Sequence, residues 1–202
     1  MTANLPFGLR PINDNGTAWT GQGRMIAFNT DESNNIFLGD PIVPTGATDG
    51  NGVPYMTLAT GGATNTVAGG FIGLCNGPAK GANSSSTLLQ SSNVYRTASV
   101  LTYGFVCDDP NQLYAIQEDS VGGAIAAANA GYTNGNLITG SGSTVTGYSG
   151  WQLDSSTVDG NANPTYQLRI LGLLRGPDNA IGNYAKWVVR LNLPALWALS
   201  GY

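Results

Sequence analysis

The side chains with the means to do chemistry in this chain are carboxylates, because it contains no histidine and only two cysteines. Without an imidazole there is no Ser-His-Asp or Cys-His nucleophile, and the commonest ligand of zinc and non-haem iron sites is missing. Cys75 and Cys107 are scattered rather than spaced as a metal knuckle. Each ends an apolar run, Phe71-Ile-Gly-Leu-Cys75 and Tyr103-Gly-Phe-Val-Cys107, where a free cysteine behaves as a small buried hydrophobe; both are expected to be reduced. Gly140-Ser-Gly-Ser-Thr144 lacks the lysine and the strand-to-helix setting of a phosphate-binding loop. Two acidic pairs, Asp108-Asp109 and Glu118-Asp119, lie at opposite ends of a predicted hairpin strand. A retaining glycosidase holds its two carboxyl groups about 5 Å apart. Here an intervening strand of roughly 20 Å, at about 3.3 Å per residue, keeps the pairs from meeting. Asp109 reads as a turn former and Asp119, with Ser120, as a helix start. Asp154, Asp159 and Asp178 show no calcium-loop spacing. No catalytic, cofactor-binding or metal site is expected.

The elements around these residues read as short strands. Tyr166-Gln-Leu-Arg-Ile-Leu-Gly-Leu-Leu174 and Lys186-Trp-Val-Val-Arg-Leu-Asn192 flank a turn at Gly176-Pro-Asp-Asn-Ala-Ile-Gly182, the pattern of a β-hairpin. Arg24–Asn29, Ile36–Leu38, Pro41–Val43, Tyr55–Ala59, Gly70–Cys75 and Trp151–Asp154 read likewise. Val94–Cys107 is the longest strand signal. After the Asp108-Asp-Pro-Asn111 turn, Gln112–Glu118 is expected to return as its hairpin partner. The run from Gly77 to Ser86 reads as a loop, and the Gly/Ser/Thr segment 133–150 as a loop or weak hairpin. One short helix is expected near 121–130: Ser120 caps it, Ala124-Ile-Ala-Ala-Ala128 favours it and Gly131 ends it.

Composition agrees. Only 10% of residues are charged, 42% are hydrophobic and 29 are glycine, so no Lys/Glu-rich helical surface is available and short strands with polar loops must cover the protein. The expected fold class is all-β, a sandwich or barrel-like domain over 24–192. An extended N-terminal arm spans 1–23 and an apolar tail spans 193–202. Phe7, Leu9 and Trp19 in the arm, with Leu196 and Trp197 in the tail, are the expected contacts to neighbouring subunits, since extended segments with isolated apolar anchors dock along other proteins. A surface this poor in charge is weakly protected against association, so a homo-oligomer, dimer or trimer, is expected. Net charge is −4. Arg169, Arg175, Lys186 and Arg190 are read as decorating one exposed face rather than a nucleic-acid groove, which needs a dense basic footprint. No apolar stretch reaches the roughly 18 residues of a membrane span, and the N-terminus lacks the pattern of a signal peptide; assembly in a cytoplasm is expected.

Pro6-Phe-Gly-Leu-Arg-Pro11, Tyr114-Ala-Ile-Gln-Glu-Asp119, Gly150-Trp-Gln-Leu-Asp-Ser-Ser-Thr157, Leu168-Arg-Ile170 and the segment from Pro177 to Asn192 occur in that order. With them the chain resembles the capsid cement, or decoration, proteins of tailed bacteriophages. The resemblance spans most of the chain. It implies a β-rich structural virion protein that binds the major capsid protein on the outside of the head, bridging its subunits. The alternative from another class is a phage fibre or spike domain that binds or depolymerises carbohydrate, with Tyr55, Tyr95, Tyr103, Tyr132, Tyr148 and Trp151 as candidate sugar platforms. A minor head or tail connector is a third reading.

Overall fold

The computed structural model describes residues 3–13, 18–21, 23–78 and 93–195. Two β-structures carry the chain. A closed five-stranded barrel is formed by β2 (Arg24–Phe28), β3 (Pro41–Thr48), β4 (Pro54–Leu58), β5 (Gly69–Cys75) and β6 (Thr102–Cys107), in the order β2-β4-β3-β5-β6. A five-stranded sheet is formed by β1 (Arg10–Ile12), β7 (Leu113–Gln117), β8 (Asn134–Gly135), β11 (Leu168–Leu173) and β12 (Lys186–Leu191), in the order β1-β7-β12-β11-β8. A short ribbon of β9 (Leu137–Ile138) and β10 (Gln152–Leu153) packs beneath it. The chain is all-β.

Alternation decides which faces are buried. Inside the barrel, Ile26, Phe28, Ile42, Met56, Phe71 and Val106 form one apolar core, with Phe28 and Phe71 meeting edge to face at 5.4 Å. The second core lies under the five-stranded sheet. Tyr114 and Ile116 of β7, Trp187, Val189 and Leu191 of β12, and Leu168 and Ile170 of β11 point inward there, against Leu137 and Leu153 of the ribbon and Trp151 just before β10. The expected closing hairpin is β11–β12, with a register shift between Ile170 and Gly172.

Several expectations are corrected. The Asp108–Asn111 turn joins β6 to β7, but the two strands do not pair: β6 stays in the barrel with β2 and β5, while β7 lies between β1 and β12. The turn carries the chain from one β-structure to the other. The strand expected from Val94 begins only at Thr102, because Ser99 takes a left-handed φ of 57° and the Arg96 side chain is drawn inward. The helix expected near 121–130 is reduced to one 3-10 turn at Ala127–Asn129. Ser120 does not cap it. With Gly122 and Gly123 it sits at positive φ, outside helical space, and Ile125 is buried in the core instead of riding a helix.

The N-terminal segment is a strand of the domain rather than a free arm. Arg10, Pro11 and Ile12 pair with Ala115, Tyr114 and Leu113, and Leu9 and Ile12 are buried. Pairing distant in sequence fixed this, with apolar anchors spaced to fit the sheet. At the other end, the Ala195 N–H donates to the Val67 carbonyl at 2.8 Å and Ala195 is buried in the barrel core, so the start of the expected tail also belongs to the domain. The Gly77–Ser86 loop from residue 79 onward, Leu196, Trp197 and the rest of the tail lie outside the described residues.

Candidate functional site

The carboxylates singled out in the sequence are used as structural acceptors. Glu118 is fully buried; its Oε2 accepts from the Trp187 indole at 2.8 Å and from the Ile125 N–H, while Oε1 accepts from the Ser120 hydroxyl. Burial pushes its carboxyl above the usual glutamate range, against those donors. Asp119 accepts from the Ser155 N–H and hydroxyl. Asp109 accepts from the Asn111 N–H, closing the turn, and Asp108 pairs with Arg24. Cys75 and Cys107 are free thiols. They stand at opposite ends of β5 and β6, Cys75 opposite Tyr103 and Cys107 opposite Gly70. Burial raises both, Cys107 to about 11, so neither is a nucleophile near neutrality.

Gln117, in the same tripeptide as Glu118 and Asp119, has a different task. Its Oε1 accepts from the Leu5 N–H at 2.8 Å, and its Nε2 donates to the carbonyls of Ala3 at 2.8 Å and Tyr184 at 2.9 Å. One buried amide thereby ties the N-terminal segment to the β12 side of the sheet. Further along, the segment crosses the barrel where only glycine fits. Gly39 has φ +92°, and a Cβ there would stand 2.1 Å from the Phe7 carbonyl oxygen; Gly8, at φ +69°, is as tight against the Gly39 carbonyl. Replacing Gln117 with leucine is expected to lower stability by about 1–3 kcal/mol, since it strips partners from three backbone groups. Faster amide exchange at residues 3–7, read by mass spectrometry, is expected with it.

This docked segment walls a groove of about 930 Å³. Leu5, Phe7, Ile72 and Leu174 supply apolar surface, Ser141, Ser143, Thr146 and Tyr148 supply hydroxyls, and Arg10 and Lys186 supply charge. Of the expected contact residues, Phe7 and Trp19 line this groove and are half-buried, whereas Leu9, though at its base, is fully buried and offers no free side chain. Among the aromatic residues considered as sugar platforms, Trp151 is buried, Tyr95 stacks on Phe37 and Tyr103 donates to Asp49; Tyr132 and Tyr148 are exposed.

The groove opens onto the outer face of the five-stranded sheet. Residues directly opposite in a ladder point to the same face. Arg10 pairs with Ala115, Ala115 with Val188, and Lys186 with Gln117; Arg169 stands opposite Arg190, and Arg190 opposite Leu113. Since Trp187 and Val189 point into the core, Arg10, Arg169, Lys186 and Arg190 share the outer face. The expectation that the late-sequence cations decorate one face describes this arrangement for Arg169, Lys186 and Arg190. Arg10 was missed, because its place depends on β1 pairing with a strand about a hundred residues away.

No family model, no curated protein and no solved structure matches the chain. Among the described residues no helix is long and apolar enough to cross a membrane.

Proposed function

We propose that this chain is a capsid cement protein of a tailed bacteriophage, bridging major capsid protein subunits on the outside of the head. The observation that carries the reading is the amount of large apolar side chain left exposed on a protein poor in charge. Val145 is 86% exposed, Leu5 70%, Tyr132 64% and Val121 61%, and Tyr148 and Ile181 are also exposed. Scattered apolar exposure is ordinary, but with a tenth of residues charged little here opposes association. A β-scaffold with such a surface is suited to being covered by neighbours. Each bridging copy adds contacts that must break before two coat subunits separate, and the symmetry of a shell repeats this over its whole surface. Copies associate as a dimer or trimer at such junctions, and assembly takes place in the host cytoplasm.

Shells stripped of the protein and then saturated with it are expected to withstand higher temperatures before opening, read by light scattering or by release of packaged DNA. An unchanged opening temperature at full occupancy overturns the reading. The carbohydrate-binding alternative is favoured by one feature, exposed Tyr148 beside the hydroxyls of Ser141, Ser143 and Thr146 in the groove. Retention on host polysaccharide, or release of sugar from it, selects that alternative.

A further inference from the structure

The chain has eight basic residues and a net charge of −4. Arg96 is buried, Arg24 is paired with Asp108, and Lys80 lies outside the described residues. Taking these three from eight leaves five: Arg10, Arg169, Lys186 and Arg190 on the outer face of the five-stranded sheet, and Arg175 just beyond β11. The five strands of that sheet contain no aspartate or glutamate. The acids that flank the strands stand off them: Glu118 is buried beyond β7 with Asp119 next to it, Asp109 is exposed in the turn before β7, Asp178 lies in the β11–β12 turn, Asp159 lies in the loop beside β8, and Asp14, just past β1, lies outside the described residues. An acidic protein has thus gathered its available cations on one face.

Arg169 and Arg190 are the telling pair. They stand directly opposite each other on adjacent strands, an arrangement of like charges that is unfavourable by itself. Arg169 finds partial relief over the ring of exposed Tyr132, at 5.9 Å. Between the cations lie Leu113, Val188 and Leu174, all half-buried.

We infer that this face is the docking surface for an acidic, partly apolar surface of a partner protein, whose carboxylates seat against Arg169, Arg190, Lys186 and Arg10. Complementary charge sets register and encounter rate, while the interleaved apolar side chains become buried. A nucleic acid fits less well: its affinity rests on many phosphate contacts, and five cations on a chain of net charge −4 give few. The inference rests on the cement reading for the partner's identity, the coat subunit, but not for its chemistry.

Two measurements separate the two. In the first, a random 12-residue peptide display library is selected on the wild-type chain and on Arg169→Gln/Arg190→Gln. Wild type is expected to enrich peptides combining Asp or Glu with apolar residues. These should bind the double variant at least 10-fold more weakly and lose affinity between 50 and 500 mM NaCl. In the second, both proteins are loaded on stripped shells beside Thr45→Asp/Thr48→Asp, which makes the same net-charge change at the exposed tip of β3 and β4. The arginine variant is expected to need at least 10-fold more protein for half occupancy, and the threonine variant to load as wild type. Because the arginine variant removes opposed charges, its melting temperature is expected not to fall, so lost binding is not lost folding.

Peptides enriched without acids, no enrichment, tighter binding to a 30-base-pair DNA duplex, or self-association abolished by the arginine variant each overturns the inference. So does equal loading of all three proteins, which leaves the cement reading standing. Acidic peptides selected on a chain that loads no shells uphold the face and remove the cement reading.

Discussion

Replacing Arg96 with methionine is expected to remove about 3–5 kcal/mol of stability, the range for leaving buried charge and its partners uncompensated. Arg96 is 1% exposed. Its Nη1 donates to the carbonyls of Glu32 at 2.8 Å and Asn34 at 2.6 Å, and its Nη2 to those of Asn29 at 2.8 Å and Val100 at 3.0 Å. The guanidinium also lies over the Phe28 ring, 5.7 Å from its centroid, inside the barrel wall. Four carbonyls from the β2–β3 connection and the approach to β6 therefore converge on one side chain. Methionine fills much of the volume but donates nothing. Glu32 is drawn in as well. Burial opposes its charged form, but donors from Thr57, Asn34 and Leu58 outweigh that and hold it below the usual glutamate range. Removing the cation also removes its charge attraction to this carboxylate.

In a protein of this size 1 kcal/mol moves the melting midpoint by about 2–4 °C, so a fall of about 6–20 °C is expected by calorimetry. Arg96→Lys should fall between the two. A single ammonium carries three donors at one point, whereas the planar fork reaches carbonyls on two sides. A methionine variant within 1 kcal/mol of wild type would show that the carbonyls find other partners.

Arg96 also marks the limit of what was legible in the chain. Its segment reads as continuous strand, because Val94, Tyr95, Val100 and Leu101 have the composition of one. Nothing local reveals that the arginine between them turns inward to bind carbonyls more than sixty residues earlier. The closing hairpin was legible because alternation and turn chemistry are local and agree. The Asp108–Asn111 turn was legible as a turn, but the sheet joined by the next strand was not, since that depends on β1 and β12 at the two ends of the chain. The alanine run at 124–128 has helix propensity, yet the glycines before it and the demand for Ile125 in the core outweighed it. The candidate face follows the same rule. Three of its cations lie on one hairpin and were seen together, whereas Arg10 joined them only through non-local pairing.

Stability is expected to fall by up to about 3 kcal/mol as pH rises from 4 to 7 through one buried group, Asp40. Asp40 is 2% exposed at the junction of the N-terminal segment and the barrel. Its Oδ2 accepts from the Phe37 N–H at 2.8 Å and its carbonyl from the Phe71 N–H, next to the Gly39 carbonyl that holds the Leu9 N–H at 2.7 Å. Among the described residues its Oδ1 has no hydrogen-bond partner. Burial raises the carboxyl from an ordinary 3.8 to about 6, and the nearby Ser149 hydroxyl and the Phe37 N–H offset it only in part. Because the folded-state value lies above the unfolded one, the neutral acid favours the fold. This contribution is fully present below about pH 4 and is lost as pH rises through about 6; a gap of that width corresponds to about 3 kcal/mol. Glu118 acts in the same direction. Asp49 acts in the opposite one, below pH 4: the Tyr103 hydroxyl leads the donors that hold it at about 2, despite burial. The wild-type curve is therefore a composite, and the difference from Asp40→Asn isolates one group. Asparagine keeps an acceptor for Phe37 and places an amide N–H₂ in place of Oδ1, a change whose effect does not depend on pH. Urea unfolding of both proteins at pH 4, 5, 6 and 7 should show wild type losing ground to the variant as pH rises, mostly between 4 and 6. A difference that stays flat across that interval would place the Asp40 titration outside it, and with it the account of a carboxyl held neutral by burial at this junction.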